Sequence, residues 1–391
     1  MISRIIIPLL VIVLLTDAYI YCFIIKRLKK GRKRGICRTL WLMQSLALIA
    51  YALSLAFEKN FAPADVTSLN VFLILIGVWM LPKVAFTVCH ILGWGHCAYH
   101  KTKTNWGTPV GIFVGIVLAA ITVYGYVWGF GQLKVRRVTF VSKDLPKEFD
   151  GYRIVHFSDA HVGTYSGSRQ YLLKAAVDSI MKEHADMIVF TGDLQNMQPS
   201  EVMAKEQILS KLHAADGVFS ILGNHDYAYY LDADAATRQR NLLEMKSVQR
   251  QMGWTLLCNE NRILRRGSDS IVVAGMEYEG NSKKVPSFGD ISKTLRGIKK
   301  GCFVLMLQHD PTSWETDILP HSSAQLTLSG HTHAGQMKFF GWSPVALMYH
   351  QWSGVYYNGK RAINVSDGIG GFVPFRFWCP GEITVIELKR G

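Results

Sequence analysis

Tyr152-Arg153-Ile154-Val155-His156-Phe157-Ser158-Asp159-Ala160-His161 is a short apolar run that ends in an acid, a small residue and a histidine. The same succession recurs down the chain. Met187–Phe190 is followed by Thr191-Gly192-Asp193, and Val218–Leu222 by Gly223-Asn224-His225-Asp226. Cys302–Leu307 is followed by Gln308-His309-Asp310-Pro311, and Gln325–Leu328 by Ser329-Gly330-His331-Thr332-His333-Ala334-Gly335-Gln336. Each run is brief and apolar at successive positions, the pattern of a strand covered on both faces. Similar runs lie at Leu133–Val141, Ile271–Ala274, Ala362–Val365 and Ile383–Leu388, and helices are expected over Ser168–His184, Ser200–Leu212 and Ala233–Met252. Ligands of open α/β sheets bind at the carboxyl ends of strands, which is where the polar residues fall. Glycines beside them permit tight turns and close backbone approach.

Taken singly, an Asp-x-His pair in a loop is usually a surface cap, and Gly-Asn is common in turns for its own reasons. Five such segments in order, each closing an apolar strand, are specific. Their donors are Asp, Asn and His without Cys, a set suited to Mn²⁺, Fe²⁺ or Zn²⁺. The other histidines, His90, His96, His100, His156, His184, His213, His321 and His350, lie outside any such group and are expected to be ordinary. Seven cysteines without a CxxC pair indicate neither a zinc ribbon nor a disulfide framework.

The chain has 391 residues, 49% hydrophobic and 18% charged, which excludes a disordered protein. Its net charge of +14 invites a nucleic-acid reading, but the charge is unevenly spread. Residues 1–133 hold 13 Lys/Arg against 3 Asp/Glu; residues 134–391 hold 30 against 26. The basic excess therefore sits among apolar segments, where it reports topology, and no nucleic-acid partner is expected. Four apolar runs, Ile5–Ile25, Leu40–Phe57, Leu69–Leu92 and Pro109–Phe130, each approach the ~20 residues that cross hydrocarbon. A signal peptide does not explain the first, since its charged flank follows rather than precedes it. The first loop, Lys26 to Arg38, carries eight Lys/Arg and no acid, whereas the second, Glu58–Ser68, carries one Lys. Positive-inside logic puts the first and third loops in the cytoplasm and everything after Phe130 outside. The third run is the weakest, because Pro82 and Lys83 near its middle are costly unless they face the bundle interior. Domains are thus expected at 1–131, with about four transmembrane helices, and at 132–391, a single α/β domain.

The segments resemble the calcineurin-like metallophosphoesterase superfamily: Asp-x-His, Gly-Asp, Gly-Asn-His-Asp, a lone His, then Gly-His-x-His, over about residues 150–390. The longer string Gly-His-Thr-His-Ala-Gly-Gln, with Ser366-Asp367-Gly368-Ile369-Gly370, is similar to a membrane-associated branch that includes bacterial phosphodiesterases. The resemblance implies a four-layer α/β/β/α fold behind the N-terminal four-helix transmembrane unit. It implies two divalent metal ions, Mn, Zn or Fe. Asp159, His161, Asp193 and His333 would hold one, and Asp193, Asn224, His309 and His331 the other, with Asp193 bridging. Two ions about 3.5–4 Å apart can share a hydroxide that attacks phosphorus. His225 is then the expected proton donor, with Asp226 either orienting its ring or simply capping a turn. Asp310 is expected either to join the site or only to steady the loop before Pro311.

Phosphomonoesters, phosphodiesters and pyrophosphates all suit such a site. The membrane segment makes a lipid-linked phosphate attractive, and membrane lipids are expected partners; no oligomeric state is implied. Aromatics in Phe339–Trp352 and at Phe372, Phe375, Phe377 and Trp378 read either as an interfacial surface or as core. The expected location is a plasma or inner membrane, with the catalytic domain extracytoplasmic. Two alternatives stand beside the enzyme: an inactive phosphoesterase-fold scaffold on a sensor or transport bundle, and transport through the four spans. Degraded ligand positions would mark the scaffold, and none of the seven is replaced.

Overall fold

The computed structural model describes residues 2–27, 31–57 and 67–391, with side chains from Ile6 onward. Residues 28–30 of the basic first loop and 58–66 of the second lie outside the described residues. The chain divides into two compact units, one ending at Val127 and the other running from Trp128 to Gly391.

The first unit is helical. Helices Ile2–Phe23, Arg32–Ala56 and Gly107–Val127 are each long enough to span a membrane. The remaining span is continuous over Thr67–His100. It contains one wide π turn at Ile76–Met80, ending two residues before Pro82. Proline lacks the N–H that would bond four residues back and its ring crowds that carbonyl, and a widened turn accommodates both. Lys83 does face the interior. Its Nζ lies 2.8 Å from Asp17 Oδ1, and 4.4 Å from the centre of the Trp41 ring. The two charges in the apolar spans thus neutralise one another across helices. Gly111 brings Gly107–Val127 against the backbone of Leu81–His100: a Cβ there would lie 3.0 Å from Phe86 Cα.

The second unit is built on twelve strands: β1 Leu133–Ser142, β2 Arg153–Phe157, β3 Met187–Phe190, β4 Val218–Ser220, β5 Thr255–Leu256, β6 Glu260–Arg266, β7 Asp269–Gly275, β8 Phe303–Leu307, β9 Leu326–Ser329, β10 Gly354–Asn358, β11 Arg361–Val365 and β12 Gly381–Arg390. They form two six-stranded sheets, in the orders β1-β12-β2-β3-β4-β5 and β10-β11-β9-β8-β7-β6. β2 to β5 run parallel, as do β7, β8, β9 and β11; β6 and β10 are antiparallel edges.

Alternation along each strand sends one set of side chains between the sheets and the other outward. Ile154, Met187, Val189, Phe219 and Ile221 of the first sheet meet Ile271, Val273, Phe303, Leu305 and Leu328 of the second in one buried cluster. Val155, Phe157, Ile188 and Phe190 point outward, against Leu173, Val177 and Ile180 of helix Gln170–Met181 and Met245 and Val248 of helix Ala235–Gln251. Val272, Val304 and Met306 pack on Trp314 and Ile318 on the far side. The layers are therefore helix, sheet, sheet, helix, as the resemblance implied. Each such buried side chain contributes about 1.5–3 kcal/mol relative to exposure.

Three strands were not foreseen, β5, β6 and β10, and all lie at the ends of their sheets. An edge strand is covered less and needs no continuous apolar run: β6 reads Glu-Asn-Arg-Ile-Leu-Arg-Arg. The helix expected over Ser200–Leu212 is two single turns, Ser200–Met203 and Glu206–Leu209. Phe303→Ala, which opens a void between the sheets, is expected to cost about 3–5 kcal/mol. That lowers the melting temperature of this unit by roughly 6–20 °C. Ile263→Ala on exposed β6 should shift it by no more than about 2 °C, so equal shifts would contradict the layer assignment.

Candidate metal centre

β2, β3 and β4 are neighbours and parallel, so the loops after them leave on the same side. Those loops carry Asp159 and His161, Asp193, and Asn224 with His225. β8 and β9 are likewise parallel neighbours and deliver His309, then His331 and His333. The structure brings all seven expected ligands together. Donor atoms of Asp159, His161, Asp193 and His333 lie within 4.8 Å of one another. So do those of Asp193, His309 and His331, which makes Asp193 common to both groups. Asn224 joins the second: its Oδ1 is 3.0 Å from His309 Nε2 and 2.8 Å from His331 Nδ1.

The turns that aim these side chains are strained. Asp159, His161, Asp193, His331 and His333 all have positive φ, between 44° and 72°. Such a conformation costs a non-glycine residue about 1–2 kcal/mol. Main-chain bonds hold it in place: the Asp159 N–H donates to Gly192 O, the His161 N–H to Asp193 O, and the Gly330 N–H to His309 O. The His331 N–H donates to the Asp159 carboxylate at 3.0 Å and the His225 N–H to Asp193 Oδ1 at 2.8 Å. Gly192, at φ +95°, has no room for a side chain, because a Cβ would run into the backbone of Gly223.

Burial sets the protonation. Burial, reinforced by His225, holds His161 well below the usual imidazole range. Burial and the Arg376 guanidinium lower His333 to about 3. Burial opposes charge on Asp193, but the surrounding His309, His225 and His161 outweigh it and hold the carboxyl well below its ordinary value. Burial also opposes charge on His309, yet the Asp193 and Asp159 carboxylates raise it to about 10. Both ring nitrogens of His161 and Nδ1 of His333 are buried without a hydrogen-bond partner. Unpartnered imidazole lone pairs beside two buried carboxylates are a donor set in want of a cation, so the residues fit divalent metal. The outer nitrogens are fixed as metal-binding histidines require. His309 Nδ1 is 2.7 Å from the Thr191 carbonyl, and His331 Nε2 is 3.1 Å from the Tyr349 hydroxyl.

Asp226 does not orient His225. Its carboxylate is fully buried and accepts the N–H groups of Gly223, Asp193, Leu194 and Gln195. Burial and the Asp193 charge push it up to about 7, against those N–H groups, which favour its charged form. The His225 ring is held instead by the Asn196 carbonyl, 2.6 Å from Nδ1, and by stacking on Tyr230 at 4.2 Å between centroids. Asp310 has a double part: Oδ1 accepts from the Thr312 N–H and hydroxyl, and Oδ2 lies 3.4 Å from His331 Nε2. His156 is a satisfied core histidine between Thr191 Oγ1 and Asn364.

Asn196, Tyr230 and Arg376 were not foreseen, and Tyr349 was expected only as interfacial surface or core, not beside His331. Arg376 is fully buried and donates to the carbonyls of Asp367, Gly368, Gly370, Cys379 and Pro380, shaping the loop beside Asp159 and His333. One signal could have found it: Arg376 is the lone charge in the apolar stretch Gly371–Pro380. The aromatic stretches divide between the two readings, with Phe377 buried while Phe340, Trp342 and Trp378 are exposed.

A two-sheet sandwich with Asp, Asn and His converging on shared Asp193 defines a metallophosphoesterase. Comparison with known families agrees. Residues 152–335 match the model described as calcineurin-like phosphoesterase, and residues 3–130 match one described as probable calcineurin-like phosphoesterase, transmembrane domain. An uncharacterized metallophosphoesterase of Bacillus subtilis, YkuE, is 31% identical over 71% of this chain and 95% of its own length. A transmembrane protein with metallophosphoesterase domain from Bos taurus is 24% identical over 97% of this chain and 87% of its own. The UDP-2,3-diacylglucosamine pyrophosphatase LpxG of Chlamydia trachomatis is 26% identical over 71% of this chain and 97% of its own. The chain belongs to the calcineurin-like metallophosphoesterase family. It is a phosphoric ester hydrolase of the metal-dependent kind, and among the described residues four helices have membrane-spanning length and composition.

The two readings of Asp226 are separable. Asp226→Asn sets an amide NH₂ against backbone N–H groups and is expected to cost about 3 kcal/mol and to lower metal content by elemental analysis. Turnover lost at full stability and full metal content would instead return Asp226 to the His225 ring.

Proposed function

We propose that this protein is a membrane-anchored hydrolase, with membrane domain 1–131 and catalytic domain 132–391, that uses two divalent ions to cleave a lipid-linked phosphoester or pyrophosphate. The observation that carries the reading is the sharing of Asp193 between two donor groups. Asp159, His161, Asp193 and His333 would hold one ion, and Asp193, Asn224, His309 and His331 the second. When bound, such a pair supplies Lewis acidity that activates water and neutralises the phosphoryl oxygens. Mn, Zn and Fe all suit the donors.

The chain's own residues supply the proton. A carbonyl can only accept, so His225 Nδ1 carries the hydrogen shared with Asn196 O at 2.6 Å. Nε2 is therefore the atom that exchanges the working proton. Tyr230 stacks on one side of the ring, and Phe372 lies 5.9 Å away between centroids. These contacts restrict rotation, so protonated Nε2 keeps one direction from which to serve the leaving oxygen. The lipid-linked class draws support from LpxG, a pyrophosphatase whose named substrate carries two acyl groups. The extracytoplasmic side, at a plasma or inner membrane, draws support from eight Lys/Arg between Lys26 and Arg38.

Asp193→Ala should remove metal and turnover together, because both donor groups lose a member. His225→Gln should retain metal while turnover falls about 10²–10⁴-fold. Full metal content with near-normal turnover in Asp193→Ala would defeat the shared-ligand reading. Topology is read separately. An alkaline phosphatase reporter fused after Phe130 should be active and a fluorescent protein there dark; the opposite pair would place the domain in the cytoplasm.

A further inference from the structure

Large apolar side chains that remain exposed are scattered singly over most of the catalytic unit, as on any protein surface. One group is different. Phe340, Trp342, Leu347, Met348 and Trp378 come from two loops, and Phe340, Leu347 and Met348 are 96%, 81% and 78% exposed. Residues 339–349 contain no charge.

The group is held rather than loose. Phe339 and Trp342 exchange main-chain hydrogen bonds of 2.7 and 3.0 Å, which makes Phe340-Gly341 the tip of a tight hairpin turn. Both tip residues have positive φ, 53° and 87°. Turns of this kind favour Asn or Asp before the glycine, because a bulky residue there costs about 1–2 kcal/mol. A phenylalanine occupies that place, with its ring outside the protein. Trp378, in the other loop, also has positive φ, 49°. The two strained aromatics meet edge to face at 5.6 Å, and Trp378 stacks at 4.8 Å on buried Phe377. Strain that holds aromatics out in solvent is retained where the exposed rings have a use.

The group also adjoins the metal centre. Tyr349, next after Met348, bonds His331 Nε2 through its hydroxyl, and the Ser343 hydroxyl donates to the Ala334 carbonyl, next after His333. Among the described residues four helices are long and apolar enough to span a membrane, which makes a bilayer the phase nearest to hand. Trp and Phe with Leu and Met, free of charge, are the side chains that settle at the boundary of headgroups and acyl chains.

We propose that the 339–349 turn together with Trp378 is a bilayer-docking surface, which seats in the headgroup layer and presents lipid-borne phosphates to the metal centre. The docking stands on the geometry above; the delivery of substrate rests on the lipid-linked reading.

The test uses the full chain in phosphatidylcholine–phosphatidylglycerol nanodiscs. The photoreactive amino acid benzoylphenylalanine is placed at Phe340, at Leu347 and, as a control, at exposed Leu243 of helix Ala235–Gln251. After irradiation, peptide masses should show phospholipid adducts at 340 and 347 and none at 243. Adducts only to protein, no adduct, or equal lipid adducts at 243 would overturn the docking, the first pointing to a second copy or a protein partner. A kinetic arm compares two diesters of one leaving group, bis(p-nitrophenyl) phosphate in solution and hexadecyl p-nitrophenyl phosphate in the disc. F340S/W378S should lower kcat/KM about tenfold on the embedded ester and leave the soluble one within about twofold, an interfacial loss of the size expected for two aromatic rings. Lipid adducts without that split would keep the docking and remove the lipid-linked substrate.

Discussion

The Asp226 carboxylate, buried and gathering the N–H groups of Gly223, Asp193, Leu194 and Gln195, is the interaction on which the centre depends. β3 and β4 end side by side, but their loops carry N–H groups with no strand left to pair with. One carboxylate accepts four of them and so fixes the loop of Asp193 to the loop of Asn224. Asp193 can then keep a left-handed backbone, and its side chain stays between the two donor groups. Close packing completes the junction, since Gly192 meets the Gly223 backbone where neither tolerates a Cβ.

Parallel strands explain why two sheets are involved. The ends of β2, β3 and β4 supply carboxylates, an amide and His161; those of β8 and β9 supply the other three histidines. Side chains from both sheets fill one buried cluster, which keeps the two sets of loops in register. Interiors resist deformation because they are close-packed, so candidate donors drawn from both sheets are fixed by the core beneath them. The same burial leaves the rings of His161 and His333 neutral and partly unpartnered. The instability of those polar groups is offset only when a cation takes their lone pairs.

What the sequence revealed follows from what burial demands. Strands covered on both faces must be apolar throughout, and β2, β3, β8 and β9 were readable for that reason. The edge strands β6 and β10 escape that demand, and β5 lies in a buried apolar run but is only two residues long. The seven candidate donors, which the fold brings together, stood out because metal chemistry restricts residue type and because each follows a strand. For Asp226, adjacency in sequence favoured contact with His225, and the other expectation, a turn cap, is the one its contacts match. In the short 3-10 turn Asn224–Tyr227 the two side chains leave in different directions, the ring toward Asn196 and the carboxylate toward the amides. Asn196 acts through its carbonyl, which any residue possesses, so no pattern of side chains could reveal it. Lys83 posed the reverse problem, looking costly until Asp17, 66 positions away, met it across the bundle.

Positive φ recurs with one physical meaning in two chemical settings. At Asp159, His161, Asp193, His331 and His333 it turns polar side chains inward, where few residues but ligands gain from so crowded a place. At Phe340 and Trp378 it turns rings outward. A strained backbone persists only where surrounding bonds over-determine it. For the inward set those bonds are the loop-to-loop amides and the Asp226 carboxylate. For the outward set they are the paired hydrogen bonds of Phe339 with Trp342 and the stacking of Trp378 on Phe377. Both sets are tied to the loop that follows β9, through His331, Tyr349 and Ser343. Two separate hydrogen bonds, Tyr349 to His331 and Ser343 to the Ala334 carbonyl, thus seat the surface turn beside the centre, while its exposed rings take no part in holding the donors.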